Sequence, residues 1–325
     1  MKRDYFHGGD LDIALAKYGG NLKDWLDLST GINRISYPWK LKSDISLQNL
    51  PRKKTIENLS LAASKTLKMD KGTLTLSVGG AQSAIQFLPL LFKDNNSVKI
   101  LSPTYNEYEN CFRNFGFNIE KVYNFSDLNE SQIAIIVNPN NPTGKLYTDQ
   151  ELETLSENVD YLIIDQSFHS ISSRKIQKLK KNVIRINSFG KFFGLAGIRL
   201  GFVSGPAKLI KSLEKLVGPW QVSNFALDIG LKALTDTKWI LTTEKTLMQS
   251  SQKLKDLFTS VNWNLIGNTF LFHTYSTENA KKVEEHFAME QIWVRTFDYS
   301  DKWVRIGIPG KEEEWERLKI AIGKL

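Results

Sequence analysis

The chain contains a single cysteine, Cys111, and only four histidines among its 325 residues. One cysteine excludes an internal disulfide and any zinc site built from several cysteines, and we interpret it as a buried thiol. No apolar run approaches the roughly 20 residues that span a bilayer. The N-terminal MKRDYFHGGDLD turns acidic and glycine-rich where a signal peptide is apolar. These absences predict a cytoplasmic protein with no membrane partner.

The charge balance argues against a nucleic-acid partner. The formal net charge is +8, but the basic residues form short clusters without the interleaved aromatic residues of a single-strand binder. We therefore expect the charge to lie on a solvated surface. With 41% hydrophobic and 24% charged residues, the composition is that of an ordinary globular chain, and the length favours two lobes.

From about residue 73, short apolar runs alternate with longer helical patterns, which is typical of a mainly parallel sheet with crossover helices. The candidate strands are 73–78, 98–101, 133–137, 161–165, 183–187 and 200–204. Beyond Trp220 one long helical pattern covers about 222–259. A smaller α+β segment follows, with strands at 269–273, 292–297 and 303–308 and helices at 277–289 and 311–322. We expect the first 45 or so residues to pack against this segment.

Lys191 lies in the most informative stretch, NSFGKFFGLAGIRLGF at 187–202. Its neighbours are apolar: Phe189, Phe192, Phe193 and Leu195. Burial among such side chains lowers the pKa of an amine and makes it a nucleophile able to form a Schiff base. The alternative is a lysine that extends from a buried turn into solvent.

Three features of the sequence, two of them close to Lys191, suit a phosphate group. The loop Gly79-Gly80-Ala81-Gln82 opens a helix, whose first N–H groups and dipole can receive an anion, although a plain turn has the same sequence. Ser188 and Arg199 can reach the same phosphate, the arginine through a charge-assisted bond.

Three further residues suit an aromatic ring. Tyr105, in SPTYNEY, can stack on a pyridine or simply fill the core. Asn141, in NPNNPTG, can bond a phenolate oxygen and a substrate carboxylate. Asp165 ends the strand YLIID, where its carboxylate can face a protonated pyridine nitrogen or cap the next turn. Together with the phosphate set, these residues predict pyridoxal 5'-phosphate as the cofactor.

In this order, the residues resemble the fold-type I pyridoxal-phosphate enzymes, in the branch that holds histidinol-phosphate aminotransferase and threonine-phosphate decarboxylase. The resemblance covers nearly the whole chain. It implies an α/β fold with a large cofactor-binding domain at 46–235, built on a mainly parallel seven-stranded sheet. It also implies a smaller α+β domain from 1–45 and 236–325, and a homodimer.

The resemblance also assigns roles. Lys191 is the catalytic residue that forms the Schiff base with the cofactor. Asp165 binds the pyridine nitrogen, and Asn141 and Tyr105 flank the ring. The phosphate ligands are Gly80, Ala81, Ser188 and Arg199.

Other segments are similar, more narrowly, to the threonine-phosphate decarboxylases of cobalamin biosynthesis. They are HGGDLDIALAKYGGNLKDWLDLSTGIN, GPWQVS, IWVRTF and WVRIGIPG. Gly190 stands where the aminotransferases have serine, which favours the decarboxylase. Gln166 stands where the family has glutamate, which leaves the surroundings of Asp165 open.

This narrower resemblance implies a substrate site. Arg305 grips the substrate carboxylate, and His7, Asn33 and Arg295 lie near the substrate and help to receive its phosphate. The alternatives are a terminal histidine without a role and, for the two arginines, the exposed face of a strand.

The implied reaction is decarboxylation of a small phosphorylated amino acid, L-threonine O-3-phosphate, to (R)-1-amino-2-propanol O-2-phosphate. One rival is an aminotransferase of the histidinol-phosphate type. Another is a non-catalytic regulator or scaffold of the same fold, against which the intact Lys191 and phosphate set argue.

Overall fold

The computed structural model describes residues 7–40, 45, 48–92, 97–175 and 180–325. The helices of eight or more residues are α1 (Leu11–Tyr18), α2 (Lys53–Thr66), α4 (Glu107–Asn114), α5 (Asp149–Glu157), α7 (Ala207–Val217), α8 (Asn224–Thr235), α9 (Thr237–Leu257), α10 (Ala280–Met289) and α11 (Glu312–Ile322). The shorter helices are α3 (Ala81–Phe87) and α6 (Phe189–Phe192). The strands are β1 (Leu26–Asp27), β2 (Thr73–Val78), β3 (Ser97–Leu101), β4 (Asn118–Val122), β5 (Ile133–Val137), β6 (Tyr161–Asp165), β7 (Val183–Ser188), β8 (Gly201–Pro206), β9 (Asn264–Asn268), β10 (Phe272–Ser276), β11 (Ile292–Trp293), β12 (Arg295–Phe297) and β13 (Ser300–Gly307).

The chain divides into two compact units. The central unit is Ser36–Glu244, and the terminal unit combines Met1–Ile35 with Lys245–Leu325. Within the described residues, no helix is both long and apolar enough to cross a bilayer.

The central unit is built on a seven-stranded sheet in the order β2-β8-β7-β6-β5-β3-β4. The pairs from β7 to β4 are parallel, and β8 runs antiparallel to both of its neighbours. Every residue of β5 is buried, as expected of a strand covered on both faces. The predicted mainly parallel seven-stranded sheet is therefore confirmed.

The two faces of this sheet carry different cores. On β7, Ile184 and Ile186 belong to one buried cluster and Val183 to another. Because side chains alternate along a strand, Ser188 lies on the side of Ile184 and Ile186, which we call the front face. Arg185 and Asn187 lie on the rear face.

The long helical pattern predicted at about 222–259 is helical, and it consists of two separate helices, α8 and α9. Asp236 lies between them with φ −81° and ψ 74°. Its carboxylate accepts a hydrogen bond of 3.0 Å from Trp239 N. An aspartate that caps the N-terminus of a second helix interrupts the helical pattern without changing its apolar period.

The terminal unit contains a four-stranded antiparallel sheet in the order β12-β13-β10-β9. A parallel pair, β1 with β11, joins its N-terminal and C-terminal segments. Leu26, Leu28, Tyr275 and Trp315 pack in one buried cluster. The expected strand at 269–273 is shifted, since β10 begins at Phe272.

Candidate active site

Asp165 ends β6 on the front face of the central sheet and is 4% exposed. Its carboxylate accepts hydrogen bonds of 2.8 Å from the Tyr108 hydroxyl and from Ser167 N. Burial raises the pKa of Asp165, while these bonds and the positive charge of Lys191 act in the opposite direction. The result is a buried acceptor held in one orientation at a strand end.

Tyr108 is the functional residue that the sequence-based predictions missed. It is fully buried, and burial followed by the charge of Asp165 raises the pKa of its hydroxyl, so the group remains a donor. The available signal was its position three residues after Tyr105, and the two rings meet edge to face with their centroids 6.4 Å apart. The Tyr105 hydroxyl in turn donates to Gln82 Oε1 at 3.0 Å.

Lys191 lies on α6, directly beyond the end of β7, and is partly buried. Its Nζ is 5.6 Å from the centre of the Phe168 ring, within the range of a cation–π contact. Because its charge influences the pKa of Asp165, the amine and the carboxylate belong to one electrostatic neighbourhood.

Gly190, next to Lys191, is tightly packed. A Cβ at this position would lie 2.5 Å from Ala196 Cα and 3.0 Å from Ala196 N. Leu195 N also donates to Gly190 O at 3.1 Å. The chain after Lys191 therefore folds back so closely that a serine here would require the backbone to move.

A cradle for an anion lies between α3 and the segment before β8. Gly80 has φ +93°, and a Cβ there would lie 2.7 Å from Arg199 Nη2. A Cβ on Gly201 would lie 2.5 Å from Ala81 N. Ser188, which pairs with Gly201 across β7 and β8, makes no side-chain cap to α6. The structure thus brings Gly80, Ala81, Ser188 and Arg199 together.

The NPNNPTG loop is fixed by the neighbours of Asn141. Asn138 exchanges two hydrogen bonds with the Tyr147 backbone, at 3.0 and 2.7 Å. Asn140 donates to Pro103 O at 3.0 Å and accepts from the Thr104 hydroxyl at 2.7 Å. Asn141 is therefore carried on a loop anchored to the segment that leads into Tyr105.

In the terminal unit, Arg295 on β12 and Arg305 on β13 are directly opposed across an antiparallel pair. Arg305 is 7% exposed, so the alternative of an exposed strand face is excluded for this residue. Its Nη2 donates to Ser29 O at 2.6 Å, and its guanidinium lies 5.1 Å over the Phe272 ring. Burial first, and then Arg295, lower the pKa of Arg305 to about 10. Like charges opposed across strands are unfavourable unless an anion lies between them.

His7 and Asn33 lie on segments close to this pair. His7 is exposed, but two residues later Gly9 N donates to Ser29 Oγ at 2.7 Å, and Arg305 contacts the carbonyl of the same serine. Asn33 is 4% exposed, and its Oδ1 accepts from Ile35 N at 2.9 Å. Four of the five predicted substrate residues, His7, Asn33, Arg295 and Arg305, thus belong to the terminal unit, whereas the fifth, Asn141, and the predicted cofactor residues belong to the central unit.

The predicted cofactor residues of the central unit suit an aldehyde cofactor with an anionic group better than a metal ion. It combines a primary amine, a buried carboxylate and a glycine-lined cradle beside a guanidinium. In the described part of the chain, no group of three or more histidine, cysteine, aspartate or glutamate side chains is placed to hold a metal ion.

This fold is that of the fold-type I aminotransferases. A model of the family described as aminotransferase class I and II matches residues 38–322, and the chain belongs to this family. A histidinol-phosphate aminotransferase from Sinorhizobium meliloti, solved in complex with pyridoxal-5'-phosphate, has a TM-score of 0.82 at 15% identity. The match covers 98% of this chain and 94% of that one.

Two curated relatives are similar over their full length. The chain is 34% identical to a threonine-phosphate decarboxylase from Sinorhizobium sp, over 100% of this chain and 99% of the relative. It is 31% identical to a threonine-phosphate decarboxylase from Pseudomonas aeruginosa, over 97% of this chain and 96% of the relative.

Proposed function

We propose that the protein is a pyridoxal-phosphate-dependent carboxy-lyase that converts L-threonine O-3-phosphate to (R)-1-amino-2-propanol O-2-phosphate in cobalamin biosynthesis. The observation that carries this proposal is the full-length similarity to two curated threonine-phosphate decarboxylases, at 34% and 31% identity. The opposed Arg295 and Arg305 agree with it, because the substrate carries both a carboxylate and a phosphate.

The cofactor residues fit pyridoxal phosphate chemically. In this proposal the amine of Lys191 holds the aldehyde, and Gly80, Ala81, Ser188 and Arg199 hold the phosphate. The Asp165 carboxylate would accept a hydrogen bond from the protonated pyridine nitrogen, and Tyr108 and Ser167 N, which donate to its two oxygens, would hold it in place. Asn141 and Tyr105 would flank the ring. When bound, the cofactor supplies a sink for the electron pair that remains on Cα after the carboxylate leaves.

The bond that breaks at Cα is the one held perpendicular to the cofactor ring, so orientation of the substrate selects the reaction. In this proposal Arg305 binds the substrate carboxylate, while Arg295, His7 and Asn33 receive the phosphate and fix the torsion about Cα. The amine of Lys191, in its protonated form, would be the group that delivers a proton to Cα.

The proposal is tested by mixing the holoprotein with L-threonine O-3-phosphate in the absence of a keto acid while its visible absorbance is followed. A decarboxylase returns to its resting spectrum after each turnover. An aminotransferase leaves the cofactor in its amine form, with a lasting loss of the aldehyde absorbance. A Lys191→Ala variant serves as the control, because it lacks the amine that bonds to the cofactor aldehyde. Borohydride should therefore attach the cofactor to the wild-type protein and not to this variant.

The histidinol-phosphate aminotransferase alternative has less support than the decarboxylase. Its support is the family and the shared fold, and Gly190 stands where that branch has serine. The same absorbance experiment with histidinol phosphate, again in the absence of a keto acid, tests it directly, because transamination would leave a lasting loss of the aldehyde absorbance.

We also propose a homodimer in the cytoplasm, with the central unit as the cofactor-binding domain. The family supports the dimer, and the single buried thiol of Cys111 suits a reducing compartment. Light scattering of the purified protein measures its mass, and 37.1 kDa is the value for a monomer.

A further inference from the structure

Asp165 and Ser188 each have a buried amide neighbour at the end of the same strand. Gln166 directly follows Asp165, Asn187 directly precedes Ser188, and both amides are 3% exposed. Gln166 N donates to Ile186 O at 2.7 Å, so the ends of β6 and β7 lie side by side. Whatever holds these two amides therefore acts on the neighbours of two predicted cofactor residues.

The guanidinium of Arg174 joins the two amides. Its Nη1 donates to Asn187 Oδ1 at 2.8 Å and to Gln166 Oε1 at 3.3 Å. Its Nη2 donates to Gln166 O at 3.2 Å, and its Nε donates to Ser170 O at 2.8 Å. A guanidinium holds its donors in one fixed plane and can bind several acceptors at once, whereas the ammonium of a lysine is a single point. One side chain thus ties the end of β7 to the chain that leaves β6.

The segment closed by Arg174, residues 166–174, is called the β6 loop below. It carries two groups that reach the candidate active site. Ser167 N donates to Asp165 Oδ1 at 2.8 Å. Phe168 is 4% exposed, and the centre of its ring is 5.6 Å from Lys191 Nζ. The position of the β6 loop therefore affects both the buried carboxylate and the surroundings of the amine.

Glu244 on α9 holds the same loop from a second side. It is 2% exposed, and its carboxylate accepts from Ser172 N at 2.9 Å and from the Ser170 hydroxyl. Ser170 thus bonds to Glu244 through its hydroxyl and to Arg174 through its carbonyl oxygen. Burial first, and then Arg185, lower the pKa of Arg174 to about 9, while Glu244 raises it. Arg174 therefore stays protonated at neutral pH and keeps all of its donors.

We propose that Arg174 is a positioning residue for the cofactor, because it fixes the ends of β6 and β7 relative to each other and so sets the spacing between Asp165 and Ser188. The inference rests on the proposed function, in which these two residues bind the pyridine nitrogen and the phosphate of one rigid ring. A rigid ligand bound at both ends is sensitive to small changes in that spacing, even when the change comes from a residue that does not touch it.

Arg174→Lys tests this role, because it keeps the positive charge but cannot bond to three residues at once. Apoprotein is titrated with pyridoxal phosphate, without substrate, while the visible absorbance is followed. We expect the concentration needed for half-saturation to rise by about ten-fold, as for the loss of one hydrogen bond to a charged group. At saturating cofactor, we expect kcat to fall by about ten-fold and KM to change by less than about three-fold. Arg113→Lys, an exposed arginine of the same unit paired with Glu109, leaves all three values unchanged.

Urea unfolding of the apoproteins separates positioning from stability alone. A purely structural role predicts a lower free energy of unfolding with unchanged half-saturation of the folded protein, and that result overturns the proposal. If Arg174→Lys does not fold, Glu244→Gln loosens the β6 loop from its other side, and we expect half-saturation to need about three-fold more cofactor. Unchanged half-saturation in Glu244→Gln then overturns the proposal. Since the titration uses no substrate, its outcome is independent of whether the wild type releases CO₂ from L-threonine O-3-phosphate.

Discussion

The carboxylate of Asp165 is oriented by donors from two parts of the central unit, Tyr108 on α4 and the backbone of Ser167. Both donors stabilise the ionised form, whereas burial favours the neutral one. At the scale of a residue, the acid–base state of Asp165 therefore depends on Tyr108, which donates to its carboxylate.

The Tyr108→Phe variant tests this dependence. Losing one hydrogen bond to a charged group costs about 1.5–3 kcal/mol, so we expect kcat to fall by about ten-fold or more. Because the bond lowers the pKa of Asp165, its loss raises that pKa, and the acidic limb of the pH–rate profile moves to higher pH. Tyr123→Phe, at an exposed position, is the control. An unchanged acidic limb contradicts the role of Tyr108.

The close packing at Gly190 gives a second test. Gly190→Ser places a Cβ against the Ala196 backbone, and we expect the free energy of unfolding to fall by about 1–3 kcal/mol in urea denaturation. Gly197→Ser, in the same segment, is the matched control, because a Cβ there meets no atom within 4 Å. Equal stability of the two variants would show that the backbone yields freely at Gly190.

For single residues, the sequence indicated which residues follow the strands and what chemistry their side chains offer. It did not indicate which side chains contact one another in the fold. Asp165, Ser188 and Lys191 could be read from motifs that follow buried strands. For Tyr108 the sequence offered only its nearness to Tyr105, because its contact is to Asp165, 57 positions away.

At the scale of elements, Asp236 separates α8 from α9 by capping the second helix. Removing this cap in Asp236→Ala should destabilise the protein by about 1 kcal/mol, as other lost aspartate caps do. Thermal unfolding measures the change, and Asp160→Ala, at an exposed position, provides the comparison. A variant as stable as the wild type would mean that α9 needs no cap.

Six of the seven strands in the central sheet were predictable, because each is either a buried apolar run or an alternation of apolar and polar residues. The missing one, β4, has the sequence NIEKV and lies at the edge, where three of its five residues are exposed. Charged residues on an edge strand weaken its apolar period, and β4 carries two of them among five residues, whereas the other edge strand, β2, carries none and is buried over its second half. The break between α8 and α9 could not be predicted from the sequence, because the apolar pattern continues through Asp236.

For the whole molecule, the proposed cofactor residues belong to the central unit, and the proposed substrate residues other than Asn141 belong to the terminal unit. Arg305→Gln should therefore retain the cofactor absorbance while kcat/KM for L-threonine O-3-phosphate falls by about 100-fold. Arg199→Gln should instead raise the concentration of pyridoxal phosphate needed for half-saturation. Loss of the cofactor from Arg305→Gln would contradict this division.

The central claim is that the holoprotein breaks the bond between Cα and the carboxylate. The most direct measurement uses L-threonine O-3-phosphate labelled in the carboxyl carbon and counts label in released CO₂ and in solution. We predict one labelled CO₂ for each amino-propanol phosphate formed, with no keto acid. Label that remains in a keto acid, or the absence of labelled CO₂ with active holoprotein, would contradict the account.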